Sequence, residues 1–141
     1  MAPMEMRDRI RETSDNLYAA WNTHDANRIV AVYAADVEFV DIVAKITTTG
    51  REEIRAVAVD RLDAFPDFSI AWLTRLIDAN TSADQWVIRG TQSGEYQGLP
   101  PTGNTIEVAG ATFSKYDEHG LVIRSLNYID VPGFIRQLGL D

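Results

Sequence analysis

The chain has 141 residues, 45% of them hydrophobic, which is enough for one core and bounds the chain to one domain, residues 1–141. Its formal net charge of -8, from 21 acidic against 13 basic residues, argues against nucleic acid or an anionic membrane as partner, because the phosphate term would be repulsive. Cysteine is absent, which excludes disulfides and thiol chemistry, and no run approaches the roughly 20 apolar residues of a membrane-spanning helix, so a soluble, cytoplasmic protein is the expectation.

In chain order, residues 1–6 read as a frayed start. Residues 7–21 read as a helix, with Ile10, Ser14, Leu17, Tyr18 and Trp21 on one stripe. Tyr18 and Trp21 read first as core packing and second as ligand contacts. Asn22-Thr23-His24-Asp25 breaks this helix, and Asp25 is placed to cap a second, short one carrying Ile29, Val30 and Tyr33. A strand follows over 37–43, with Val37, Phe39 and Asp41 on one face and Glu38, Val40 and Ile42 on the other. Asp41 either faces inward, where it must be paired, hydrogen-bonded or protonated, or caps the strand end at the rim. Thr49-Gly50-Arg51-Glu52 has the form of a capping box. The helix behind it runs to about Ala64, with Ile54, Val57, Ala58, Arg61 and Leu62 inward, and Phe65-Pro66-Asp67 ends it. Residues 68–78 alternate as a strand, Phe68, Ile70, Trp72, Thr74 and Leu76 against Ser69, Ala71, Leu73, Arg75 and Ile77. Residues 79–83 read as a turn.

Three long strands then read as an antiparallel meander over about 85–96, 105–117 and 121–130, since the connections are too short for crossover helices. The layout is α+β, with helices packed on one face of a strongly curved sheet. Such a sheet can leave a mostly apolar interior pocket with a few polar groups aimed inward. On the first meander strand Trp86, Ile88, Gly90 and Gln92 share a face, with Arg89 opposite. On the last, Leu126, Tyr128 and Asp130 share a face, with Ser125 and Asn127 opposite. Strict alternation cannot bring Arg89, Gln92, Ser125, Asn127 and Asp130 all inside; a bulge would change the register. Val131-Pro132-Gly133-Phe134 starts a short C-terminal helix, so Asp130 reads either as an inward acid or base or as the cap of that helix. Both sides of the long strands carry apolar residues, Val87 beside Trp86 for instance, which predicts a homodimer through the outer sheet face.

His24 and His119 both fall in turns, and no metal triad is present. The glycines of residues 94–103 lead to no helix and no Lys-Ser or Lys-Thr pair, so they form neither a dinucleotide loop nor a P-loop. No serine sits in G-x-S-x-G. If the chain is an enzyme, its tools are carboxylates, amides and phenols, suited to acid–base chemistry with neither metal nor cofactor.

Several stretches, in order and spacing, resemble one family: Trp21-Asn22-Thr23-His24-Asp25, Tyr33-Ala34-Ala35-Asp36-Val37-Glu38-Phe39, Gly50-Arg51-Glu52-Glu53-Ile54, Phe65-Pro66-Asp67-Phe68, Gly90-Thr91-Gln92-Ser93-Gly94 leading to Gly98-Leu99-Pro100-Pro101-Thr102-Gly103, and Asp130. Nearly the whole chain is similar to the SnoaL-like polyketide cyclases of the NTF2-like superfamily. That resemblance implies a cone-shaped α+β barrel with an interior pocket, with three N-terminal helices packed on a curved antiparallel or mixed sheet, assembled as a dimer or a tetramer. It also implies an aldol cyclase or isomerase type of reaction on an aromatic or polycyclic polyketide. Hydroxylation-associated proteins and epoxide hydrolases of the same superfamily are the alternatives, as is a binding or assembly module without chemistry. By the resemblance, Asp130 is the base or acid, and Asn127 and Gln92 orient a carbonyl or hydroxyl. Tyr18, Trp21, Tyr33, Trp72 and Trp86 are candidates for aromatic walls, with Asp41, Arg89 and Tyr128 as further contacts. The chain departs from the family where Gln92 replaces a common His and where Ser125-Leu126-Asn127 replaces His-Trp-Asp, which leaves room for a changed reaction.

Overall fold

Ile10, Ser14, Tyr18 and Trp21 recur at three- and four-residue spacing, and the helix they predict forms as α1 (Met6–Asn22), burying that stripe. The computed structural model describes residues 5–140, so the start expected to fray lies outside it but for Glu5 and Met6. Asp25 caps α2 (Ala26–Val30), its carboxylate accepting from the Asn27 and Arg28 amides. Tyr33 does not ride that helix. It opens β1 (Tyr33–Asp41), which turns back through Lys45, at a φ of 60°, into a strand the sequence reading lacked, β2 (Ile46–Thr49). The capping box does not form either. Gly50, at a φ of 86°, caps α3 (Arg51–Ala64), and that sharp turn sets Glu53, not Glu52, to accept from the Thr49 amide at 2.9 Å.

Four long strands follow: β3 (Ser69–Asp78), β4 (Thr81–Thr91), β5 (Thr105–Tyr116) and β6 (Val122–Ile129); α4 (Val131–Gln137) ends the chain. The turn between β3 and β4 is shorter than expected, so Ser82 and Asp84 belong to β4. The strand expected to reach residue 96 stops at Thr91, because Ser93 and Gly94 give their amides to the Ala64 carbonyl and tie the chain to the end of α3.

The sheet has six strands in the order β2-β1-β6-β5-β4-β3. β3 to β6 form the expected antiparallel meander, but β1 runs parallel to β6, so the sheet is mixed. Tyr116 pairs with Val122 while Lys115 pairs with Arg124, so Ile123 is the extra residue of a bulge. That bulge puts both Val122 and Ser125 in the buried layer. The core lies between the helices and one face of the sheet, where Trp21, Ile54, Phe65, Trp86, Ile88 and Val108 meet. On the opposite face Leu73, Leu76, Phe113 and Tyr128 stay exposed. Among the described residues no helix is long and apolar enough to cross a membrane.

Candidate functional site

The register sets one polar row across the sheet. Arg75 of β3 pairs with Asp84 of β4, Asp84 with Thr112 of β5, Thr112 with Asn127 of β6, and Asn127 with Asp41 of β1. Directly paired residues point to the same side, and here that side faces the helices.

In the middle of the row the Trp86 Nε1–H donates to Thr112 Oγ1 at 2.8 Å, and the Thr112 hydroxyl donates to Asn127 Oδ1 at 2.8 Å. Asn127 Nδ2 donates to Ser125 Oγ at 3.0 Å and to the Val40 carbonyl at 3.3 Å. This chain fixes which end of the Asn127 amide faces which strand. Gly110, paired with Trp86, leaves the space the indole occupies.

At the β4 end, Asp84 Oδ2 accepts from Tyr18 at 3.1 Å and from Ser14 at 3.2 Å. Burial pushes the Asp84 carboxyl above its usual range, although Tyr18, Arg75 and Ser14 pull the other way. The Tyr18 phenol is raised as well, by burial first and by Asp84 second, so it stays a donor. Asp84 Oδ1 is buried with no hydrogen-bond partner. The Arg75 side chain is 7% exposed; its Nη1 meets Asp15 at 2.8 Å, its guanidinium lies on the Trp72 ring at 4.3 Å, and its Nε and Nη2 are buried without partners. Nearby, Ser82 and the Tyr116 hydroxyl share a hydrogen bond of 2.8 Å.

Of the residues singled out in the sequence, the structure brings Tyr18, Trp21, Tyr33, Trp86 and Asn127 to the helix-covered side. Trp72 is paired with Trp86 but sits on the sheet-edge strand, 44% exposed. Asp41 stands at the rim, Oδ1 accepting from the Ala44 amide at 2.9 Å. Gln92 is fully buried, but its amide is spent on the 92–104 loop: Oε1 accepts from Thr102 at 2.9 Å and Nε2 donates to the Leu99 carbonyl at 3.3 Å.

Three placements correct the expectation of an inward contact. Arg89 lies on the outer face in an ion pair with Glu107, because it alternates against Trp86 and Ile88. Tyr128 is also outside, edge-on to Phe113 at 5.8 Å between centroids. Asp130 is exposed and caps α4, its Oδ1 accepting from the Gly133 amide at 3.0 Å; the strand has ended at Ile129, so alternation no longer aims this residue. Replacing Asp130 with Ala is expected to lower stability by about 0.5–2 kcal/mol, with Asn, another good cap, close to the parent. Thermal melts of the two variants check this, and equal melting temperatures for Ala and parent would contradict it.

Neither of two surface grooves is the interior pocket expected from the sequence. They measure about 430 and 420 Å³, one lined by Leu76, Ala83, Phe113 and Leu126, the other by Asp67, Arg89, Thr91 and Glu107. On the helix-covered side Phe39, Asp41, Arg61, Thr112, Asn127 and Ile129 are half-buried. The sequence reading missed Asp84, which it left outside the strand, and Thr112; the alternation Ser82, Asp84, Trp86, Ile88 was the available signal. Among the described residues no group of three His, Cys, Asp or Glu side chains could hold a metal ion.

Residues 11–138 match the model of the SnoaL-like polyketide cyclase family. TsrD of Streptomyces laurentii superposes with a TM-score of 0.85 at 19% identity, covering 99% of this chain and 100% of that one. AclR of Streptomyces galilaeus, a proposed hydroxylase, superposes at 0.82 with 20% identity, covering 97% and 88%. IdmH of Streptomyces antibioticus, a proposed polyketide cyclase, does so at 0.76 with 25% identity, covering 92% and 98%. No curated protein matches the chain.

Proposed function

The chain belongs to the SnoaL-like polyketide cyclase family, and we propose that it is an enzyme of polyketide metabolism that performs acid–base chemistry on a hydrophobic polycyclic ligand. The observation that carries this reading is the polar row, within which the Asp84 carboxylate is desolvated and keeps one oxygen without a partner. In an aldol-type ring closure Asp84 takes the proton from a carbon next to a carbonyl. The enolate carbon then bonds to a second carbonyl carbon of the same molecule, whose oxygen takes a proton back. A carboxylate made more basic by burial suits the first step. Tyr18, kept protonated, donates to Asp84 Oδ2 and, with Ser14, leaves Oδ1 as the atom that takes the proton. Asn127, held by Thr112 and Ser125, shapes the wall against which the reacting oxygen lies.

The test is incubation of the protein with a panel of anthracycline-type and angucycline-type ketones, with product formation followed by chromatography and mass. Conversion by the parent that survives unchanged in Asp84→Asn would remove Asp84 from the reaction. A second reading, a binding module without chemistry, is favoured by the Asn127 and Gln92 amides being committed to protein partners. Ligand bound tightly but never converted supports it.

For assembly, the exposed Leu73, Leu76, Phe113 and Tyr128 support pairing of two copies through the outer sheet face. Sedimentation at micromolar concentration is expected to give about twice 15.7 kDa, and a single-chain mass would refute the dimer.

A further inference from the structure

α3 buries Ile54, Ala58 and Ala64, and Phe65 follows them into the core. Arg61 falls three residues after Ala58 and seven after Ile54, so the same stripe carries a guanidinium inward. The groups in contact with it there are neutral. The Arg61 Cζ lies 5.2 Å from the centroid of the buried Trp21 ring, and Nε donates to the Tyr96 hydroxyl over a long 3.4 Å. Among the described residues no carboxylate comes within ion-pair reach of Arg61 and no hydrogen bond engages its Nη groups. Asp41 is near enough for its charge to be felt, but its Oδ1 already accepts from the Ala44 amide.

Arg61 is half-buried, and its Nη groups are neither paired by the protein nor enclosed, so they are open to an acceptor brought by a ligand. We propose that Arg61 receives a carboxylate carried by the ligand, so that the substrate class is a polycyclic aromatic acid rather than a neutral ketone or ester. This rests on the proposed reading that the helix-covered face of the sheet is the ligand site. A guanidinium matches a carboxylate bidentately, and one cation beside Asp41 suits a single negative charge better than a phosphate's two. Asp41 and Asp84 stand three strand spacings apart along the row, about 14 Å. A tri- or tetracyclic skeleton anchored by its acid at Arg61 therefore reaches toward Asp84. The net charge of -8 would repel an acid at long range, so a preference for the acid has to come from this local contact.

The experiment is calorimetric titration near neutral pH with an anthraquinone carboxylic acid and with its carboxamide, in the parent, Arg61→Gln and Arg61→Lys. The parent is expected to bind the acid about tenfold or more tightly than the amide, the range of one charge-assisted hydrogen bond. Arg61→Gln is expected to bind acid and amide equally, and Arg61→Lys to keep part of the preference. Equal binding of acid and amide by the parent overturns the proposal alone, as does a preference that survives in Arg61→Gln. Failure of both probes to bind the parent overturns the ligand-site reading with it. Should Arg61→Gln not fold, the parent's ratio and Arg61→Lys decide the matter.

Discussion

Replacing Asp84 with Asn is expected to lower the rate of conversion by about 10²–10⁴-fold, the usual loss when a general base is removed, while the protein stays folded. Asn keeps a carbonyl oxygen for the Tyr18 and Ser14 hydroxyls that meet Asp84 Oδ2. It cannot take up a proton. The dependence on pH adds a second signature. Burial holds the Asp84 carboxyl above its usual range, and a base acts when deprotonated, so the parent's rate should climb with pH through that raised value while the variant's does not. The stability sign is the opposite one. A carboxyl with a raised folded pKa contributes stability that is fully present below its unfolded pKa and is lost as pH rises through the folded pKa. Above that raised value the charged, desolvated carboxylate is therefore a cost, and Asp84→Asn should melt no lower than the parent there. Single-turnover rates across a pH series, with circular-dichroism melts beside them, check both halves. A variant that matches the parent's rate excludes Asp84 as the base.

Gly110→Ala is expected to cost about 1–3 kcal/mol, the range for overpacking a filled site. A Cβ at this position would run into the outer carbons of the Trp86 indole and lie 2.6 Å from the Tyr128 carbonyl oxygen. β5 is paired on both sides, so its backbone has no room to retreat. The indole must then move, and its Nε1–H loses Thr112. Ordinary propensity points the other way, since Gly inside a strand is usually worse than Ala by about 0.5–1 kcal/mol, so the sign alone discriminates. Denaturant unfolding gives the answer; a midpoint at or above the parent's would mean the indole yields freely.

What could be read from the sequence was local. The α1 stripe, the Asp25 cap and the meander each depend on residues close in the chain, and alternation rightly set Arg89 against Trp86 and Ser125 and Asn127 against Tyr128. What could not be read was which side of β6 the helices cover, because the β1–β6 pairing and the bulge at Ile123 that settle it join distant or irregular segments. β2 was too short and too exposed to stand out. Asp84 was missed because the strand was begun at residue 85 and not at Thr81. Asp130 was ambiguous in principle: an acid just before Val-Pro-Gly reads equally as a strand-end base or as a cap, and only its bond to Gly133 shows the second geometry.

The parallel pairing of β1 with β6 also constrains how the molecule is made. Asn127 donates to the Val40 carbonyl across 87 residues. During synthesis β1 leaves the ribosome early, with only the short β2 to pair with, and its other edge waits until nearly the whole chain has followed. Contacts of such long sequence separation close slowly, and an open strand edge can pair with a neighbouring chain in the meantime. A nascent chain stalled before β6 is therefore the form most exposed to aggregation, and release of the last strand is the step that ends that exposure.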